Sequence, residues 1–274
     1  MIPEQAIVAW RRFAPWGSNA QVEQDLIISR ALVEIYSSPD LARRVAFRGG
    51  TALYKLHLRP AARYSEDIDL VQIKPEPIGE TLTLIRNRLD SWLGEPQRRL
   101  KEGRVNLVYH VDSEETPPRK LKLKVEINSR EHFSELGTVR VPFSVDNPWF
   151  SGQSDATTYR IEELLGTKLR ALYQRRKGRD LFDIWHALAG GQVDIDVLIG
   201  CFNRYMREGG HTVSRALFEA NLEEKAQRVD FRGDMDGLLA PGIDWGFHAA
   251  LQFVLQEIVS RLPGEPWRGN RPPG

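Results

Sequence analysis

Apolar residues recur at helical spacing near the start of the chain, where VEQDLIISRALVEIYSS sets Val22, Leu26, Ile27, Leu32, Val33 and Tyr36 and stops before Pro39. The opening third therefore reads as helices. From Ala46 to about Val145 the texture changes to short β-rich runs, DIDLVQI, VNLVYHV, KLKLKVEI and TVRVPFSV. Turn-rich pieces and one helical stretch around TLTLIRNRLDSWL separate them. In KLKLKVEI, alternation puts Lys120, Lys122, Lys124 and Glu126 on one face and Leu121, Leu123, Val125 and Ile127 on the other. The apolar face is expected in a core and the charged face in water or at a functional surface.

After NPWFSGQSDATT the helical period returns and persists to the end, through RIEELLGTKLRALYQRR, RDLFDIWHALAGG, VDIDVLIGCFNRYMRE, SRALFEANLEEKAQRV and WGFHAALQFVLQEIVSRL. The segment from Asn147 to Thr158, rich in Ser, Gly and Asp, reads as a linker. These patterns predict a mixed α+β part over 1–150, a helical part over 151–262 and a loose Pro/Gly/Arg tail over 263–274.

Composition narrows the classes. The 274 residues are 41% hydrophobic, with 38 Lys+Arg against 37 Asp+Glu, a net charge of +1. That balance excludes the bulk electrostatics of a general nucleic-acid coat protein but permits a local basic face. No apolar run approaches the ~20 residues of a membrane span, and the start lacks the pattern of a secretory signal. The single Cys201 excludes a disulfide framework, sits among apolar residues as a small buried hydrophobe, and suits a reducing cytoplasm. The six histidines show no ligand-like spacing, so no zinc site is expected. Nothing in the sequence resembles a coiled-coil seam, so a monomer is expected.

The densest chemistry lies in FRGGTALYKLHLRPAARYSEDIDLVQI. Gly49 and Gly50 follow the apolar VAF and open a helical run, so backbone N–H groups with the Thr51 hydroxyl are placed to face an anion such as phosphate; a plain tight turn is the simpler alternative. Asp67 and Asp69 are i and i+2 of a strand and point to one side, their Cα atoms about 6.6 Å apart. Two such carboxylates repel unless a cation lies between them, and hard oxygens suit Mg²⁺ or Mn²⁺. An exposed acidic strand end is the alternative. Glu126, on the charged face of KLKLKVEI, is the candidate third ligand, or one charge on a blunted edge strand.

Gly49, Gly50, Thr51, Ala52, Leu53, Arg63, Ser65, Asp67, Ile68, Asp69 and Leu70, in that order, resemble the signature of AbiEii-type nucleotidyltransferases, a family that contains toxins of toxin–antitoxin pairs. The later segment EELLGTKLRALYQRRKGRDLFDIWHAL, with Glu163, Lys168, Arg170, Ala171, Arg175, Arg179, Asp180 and Asp183, is similar to its second signature. The resemblance implies a polymerase-β-like core with a mixed sheet flanked by helices, followed by a helical domain. It implies that the glycine turn and Ser65 hold a triphosphate, that Asp67, Asp69 and a third carboxylate hold divalent metal, and that a nucleoside monophosphate passes to an acceptor. Toxins of this kind modify the 3′ end of tRNA and block translation, and a cognate antitoxin is implied as partner. The Gly-Thr step after the first glycine departs from the Gly-Ser usual in polymerase-β-like enzymes and leaves the phosphate assignment intact.

The second segment also has its own reading. Lys168 lies four residues from both Leu164 and Leu172, on the apolar side of its helix, where it either snorkels out or meets a buried anion. Asp180 and Asp183 share a face near a helix start; capping and ion pairing to Arg175 or Arg179 is one reading. Holding Lys168, or orienting an acceptor hydroxyl as base, is the other. The resemblance favours direct roles for Lys168 and Asp183 and a structural one for Asp180. Of the basic clusters, Arg175-Arg176-Lys177-Arg179 is the leading candidate to track an RNA backbone. The expected function is metal-dependent NMP transfer to the tRNA 3′ end. A small-molecule or protein acceptor, or a catalytically inert nucleotide-binding module, are the alternatives.

Overall fold

The computed structural model describes residues 2–191 and 193–269. Two compact units partition the chain: Met1–Tyr159 with Leu238–Gly242, and Arg160–Gly237 with Ile243–Gly274.

The first unit contains α1 (Glu4–Trp10), α2 (Asn19–Tyr36), α3 (Pro39–Arg44), β1 (Val45–Arg48) and α4 (Gly49–Ala52), which continues as a π-helical turn over Leu53–His57. Then follow β2 (Asp67–Gln72), α5 (Ile78–Leu93), β3 (Gln97–Lys101), β4 (Arg104–Asp112), β5 (Lys120–Asn128), β6 (Thr138–Asn147) and β7 (Phe150–Tyr159). The strands form one mixed sheet in the order β3-β4-β5-β2-β1-β7-β6. The β2–β5 and β1–β7 pairs are parallel and the others antiparallel.

Helix α2 starts at a capping box in which Ser18 and Gln21 satisfy each other's backbone N–H groups. It packs on β5, β6, β7 and α5, so it is buried on nearly every side, polar residues included. Two of the buried polar residues are bonded across it: Asp25 accepts from Trp10 Nε1 at 2.8 Å, and Gln24 Nε2 donates to the Lys122 carbonyl at 3.0 Å. Trp10 is thereby closed into the core. The expected alternation of β5 holds: Leu121, Leu123, Val125 and Ile127 are buried, while Lys120, Lys122, Lys124 and Glu126 retain exposure.

The second unit is helical: α6 (Ile161–Gln174), α7 (Gly178–Ala189), α8 (Ile195–Glu208), α9 (Arg215–Ala226), α10 (Val229–Arg232) and α11 (Phe247–Glu257). Gly166 lets α6 approach α8, since a Cβ there would stand 2.7 Å from Cys201 Cβ and 3.0 Å from two backbone atoms of α8. Cys201 is fully buried. Lys225 of α9 donates to the Tyr173 carbonyl at 2.7 Å and so closes the end of α6.

The segment expected as a linker is instead the β6–β7 hairpin, paired from Asn147↔Phe150 to Thr138↔Tyr159. The boundary between the mixed and helical parts accordingly falls after Tyr159 rather than at 150, and residues 238–242 return to the first unit. There Tyr64 N–H donates to the Leu238 carbonyl at 2.8 Å and Ala240 N–H to the Ala62 carbonyl at 2.9 Å. Of the expected tail, 270–274 lie outside the described residues. Its first part is bonded to the start of α9 and to α9 itself, through Arg215 N–H to the Pro263 carbonyl and Trp267 N–H to Glu219. Among the described residues, no helix is long and apolar enough to cross a membrane.

Candidate active site

Register brings the acidic residues of the first unit together. Parallel pairing of β2 with β5 sets Asp67 beside Lys124 and Asp69 beside Glu126, and antiparallel pairing with β1 sets Arg48 on the other flank of Asp69. Directly paired residues point to the same face of a sheet, so Arg48, Asp69, Glu126 and, one strand further, Asn106 form a row. Ile68 and Leu70 point the other way and are buried, anchoring the strand.

The glycine turn lies against this row. Gly49 has φ +83°, and a Cβ on it would stand 2.2 Å from Asp69 Oδ2, so only glycine lets the carboxylate close on the backbone here. At Gly50 a Cβ would meet the buried Arg63 guanidinium at 2.3 Å and Ser65 Oγ at 3.4 Å. The Thr51 hydroxyl donates to the Asp67 carbonyl at 2.6 Å and lies 2.8 Å from Ser65 Oγ. Gly49, Gly50, Thr51, Ser65, Asp67, Asp69 and Glu126, dispersed over 78 positions, are thus assembled in one unit.

Electrostatics follow from that crowding. Burial pushes the Asp69 carboxyl above its ordinary value, Asp67 and Glu126 add to the rise, and Arg48 and Lys124 oppose it. Arg48 is itself paired with Glu131. The Lys124 ammonium stands 2.8 Å from Asp67 Oδ2 and 3.6 Å from Glu126 Oε2, and Arg104 Nη1 is 3.4 Å from Glu126 Oε1. Burial disfavours charge on Lys124, but Asp67, Glu126 and Asp69 outweigh it and hold its ammonium protonated beyond the usual range. Among the described residues no group of three His, Cys, Asp or Glu side chains is gathered to hold a metal as it stands. Glu126, the expected third ligand, stands between Lys124 and Arg104. The donor chemistry nevertheless fits a hard divalent ion: carboxylates on one face, one of them with raised affinity for a proton because it is buried and its acidic neighbours repel it.

A second cluster lies within the helical unit. Lys168 Nζ stands 2.8 Å from Asp183 Oδ2 and 3.1 Å from Asp180 Oδ1, and both carboxylates are fully buried. Arg175 makes a two-pronged contact to Asp180 at 2.6 and 2.7 Å. The snorkelling alternative for Lys168 is set aside by these distances. The basic run beside it is largely neutralised: Arg175 pairs with Asp180, Arg176 with Glu224, and Lys177 and Arg179 with Asp234. As found, it is not a free track for an RNA backbone.

The sequence pattern of the family described as nucleotidyl transferase AbiEii toxin, type IV TA system, matches residues 30–253. The chain belongs to the AbiEii family. Two solved structures are similar to this AbiEii chain. MenT4, a nucleotidyltransferase toxin from Mycobacterium tuberculosis, aligns at 17% identity and a TM-score of 0.67, over 94% of this chain and 90% of MenT4. A candidate nucleotidyltransferase from H. pylori aligns at 18% identity and a TM-score of 0.54, over 89% of this chain and 98% of that one. No match is found among curated protein sequences. Membership makes the protein a nucleotidyltransferase of the toxin class, with an antitoxin as the partner that such a system implies.

Two residues at the AbiEii site carry no role in the sequence reading, Lys124 and Arg48. Lys124 was legible in principle: K-x-E in one strand and D-x-D in another become paired rungs once the two strands are set in parallel register. Arg48 precedes the glycines directly, but only the β1–β2 pairing places it beside Asp69.

Proposed function

We propose that this AbiEii protein transfers a nucleoside monophosphate from an NTP bound with Mg²⁺ or Mn²⁺ to the 3′ end of tRNA, in the cytoplasm, and so blocks translation. The observation that carries the reading is the closure of Asp69 on Gly49, which brings a carboxylate row and a glycine turn with the Thr51 and Ser65 hydroxyls into one place. Asp67 and Asp69, with Glu126, are the residues that would hold the divalent ion. Such an ion supplies charge stabilisation at the attacking and leaving oxygens of an in-line displacement. The backbone N–H groups of Gly49, Gly50 and Thr51, at the start of α4, are the proposed contacts to phosphate oxygens. Ser65 is the hydroxyl proposed for the same oxygens, while Thr51, whose proton goes to the Asp67 carbonyl, braces the turn. In the reaction an acceptor hydroxyl oxygen gives up its proton to solvent and bonds to the α-phosphorus, the bond from that phosphorus to the α,β-bridging oxygen breaks, and pyrophosphate leaves.

The role proposed for Lys168, whose ammonium is held by Asp180 and Asp183, is to bind phosphate. Asp183, being wholly buried, acts through Lys168 as a positioning residue rather than as a base. For the acceptor, the site row continues outward. Asn106 pairs with Arg99 of β3, and Arg99 and Lys101 are exposed cations on that edge, suited to a polyanionic strand.

Incubation with total tRNA and each α-³²P-labelled NTP tests donor, acceptor and reaction class together. Label is expected on tRNA with one preferred nucleotide, and D69A is expected to lose it by about 10³-fold or more. Label appearing on protein or small molecules but not on tRNA removes the acceptor assignment. Unchanged transfer by D69A removes the metal assignment.

A further inference from the structure

The carboxylate row is already shared with a cation that belongs to the chain. Lys124 stands one rung from Asp67 on the neighbouring strand, and its ammonium takes Asp67 Oδ2 at 2.8 Å while leaning on Glu126 at 3.6 Å. A divalent ion ligated by Asp67 at about 2.1 Å would stand within roughly 5 Å of this ammonium. The two positive charges repel at that distance and compete for the same carboxylates. Lys124 is fixed at its Cα by the sheet but carries a four-carbon stem, and its side chain is 24% exposed, so the ammonium has room to swing away from the row. An anion arriving with the metal would give it a place to swing to. A bare dication expels one positive charge into a place that then holds more positive charge than before. A dication accompanied by a triphosphate brings phosphate oxygens within reach of the displaced ammonium.

We propose that Lys124 is a resident counter-ion that keeps the cation position closed until a nucleoside triphosphate arrives. Metal and nucleotide then enter together, and the ammonium moves from Asp67 and Glu126 to a phosphate oxygen. The inference rests on the metal reading above. It makes Lys124 a positioning residue that couples the two ligands, a role that a merely structural ion pair between β2 and β5 would not have.

The coupling is read directly by titrating Mn²⁺ and counting free ion by its EPR signal, with and without α,β-methylene analogues of the common ribonucleoside triphosphates. The wild-type chain is expected to bind Mn²⁺ weakly alone and at least about tenfold more tightly with an analogue, the scale of one unit charge acting over a few ångströms near a wet surface. K124M is expected to bind Mn²⁺ alone about tenfold more tightly than wild type and to lose most of the gain from the analogue. K124Q serves the same comparison if the methionine variant fails to fold, and D69N reports binding elsewhere on the protein. K124M or K124Q binding Mn²⁺ no more tightly than wild type, with the analogue's effect intact, overturns the role of Lys124 and leaves the metal reading standing. Mn²⁺ binding that is absent, or unchanged by D69N, in every protein with or without analogue overturns both.

Discussion

At Gly49 one missing carbon shapes the site. With φ at +83° and Asp69 Oδ2 where a Cβ would stand, G49A incurs backbone strain and a steric clash together. A loss of about 1–3 kcal/mol in stability is expected, read from urea denaturation, together with loss of label transfer because the carboxylate must move. Asp180 shows the opposite electrostatics. Burial opposes its ionisation, but Lys168 and Arg175 outweigh burial and hold its carboxyl below the ordinary value. A depressed carboxyl contributes stability that is present above the unfolded value near 4 and is lost as pH falls through the folded value. Unfolding followed from pH 7 to pH 2 should therefore show a steep acid limb that D180N flattens. At pH 7 the same variant should cost about 3 kcal/mol, because Lys168 and Arg175 are left short of a partner.

Among the elements, α6 and α8 offer a matched pair of substitutions. Gly166 faces Cys201 and two backbone atoms of α8 that cannot retreat, so G166A should destabilise by about 1–3 kcal/mol through overpacking. Gly200, on the open side of α8, meets nothing within 4 Å, so G200A should stabilise by about 0.5–1 kcal/mol through helix propensity. Thermal melts of the two variants should move in opposite directions. Elements with strong periodicity were legible in the sequence, among them α2, β5 and the amphipathic helices of the second unit. Two strands were not. β3 is QRRLK, exposed at every position and formed because β4 offers it backbone partners. β7 opens FSGQSDA, whose small polar residues carry a loop-like signal, and it is a strand because β6 pairs with its full length. The D-x-D pair and the glycine turn could be read locally. The neutralisation of the RRKGR run could not, since Glu224 and Asp234 lie roughly 50 positions away in sequence.

For the whole molecule, the chain enters the helical unit after Tyr159, comes back for Leu238–Gly242 and leaves again. The returning residues bond to Ala62 and Tyr64, on either side of Arg63, the residue that lies under Gly50. A fragment of residues 1–159 lacks those partners. It should be less stable by about 2 kcal/mol than the same fragment carrying 236–243 through a flexible linker, as two lost backbone hydrogen bonds imply and as paired denaturant melts would measure. The AbiEii pattern over residues 30–253 includes this return. A gene fusion joined once, at the codon for residue 159, would lay a foreign strip beside Ala62. Exchange of halves between relatives by a single recombination event therefore sets a strip from one parent against the Arg63 turn of the other, and the two must match for the hybrid to fold as well as either parent.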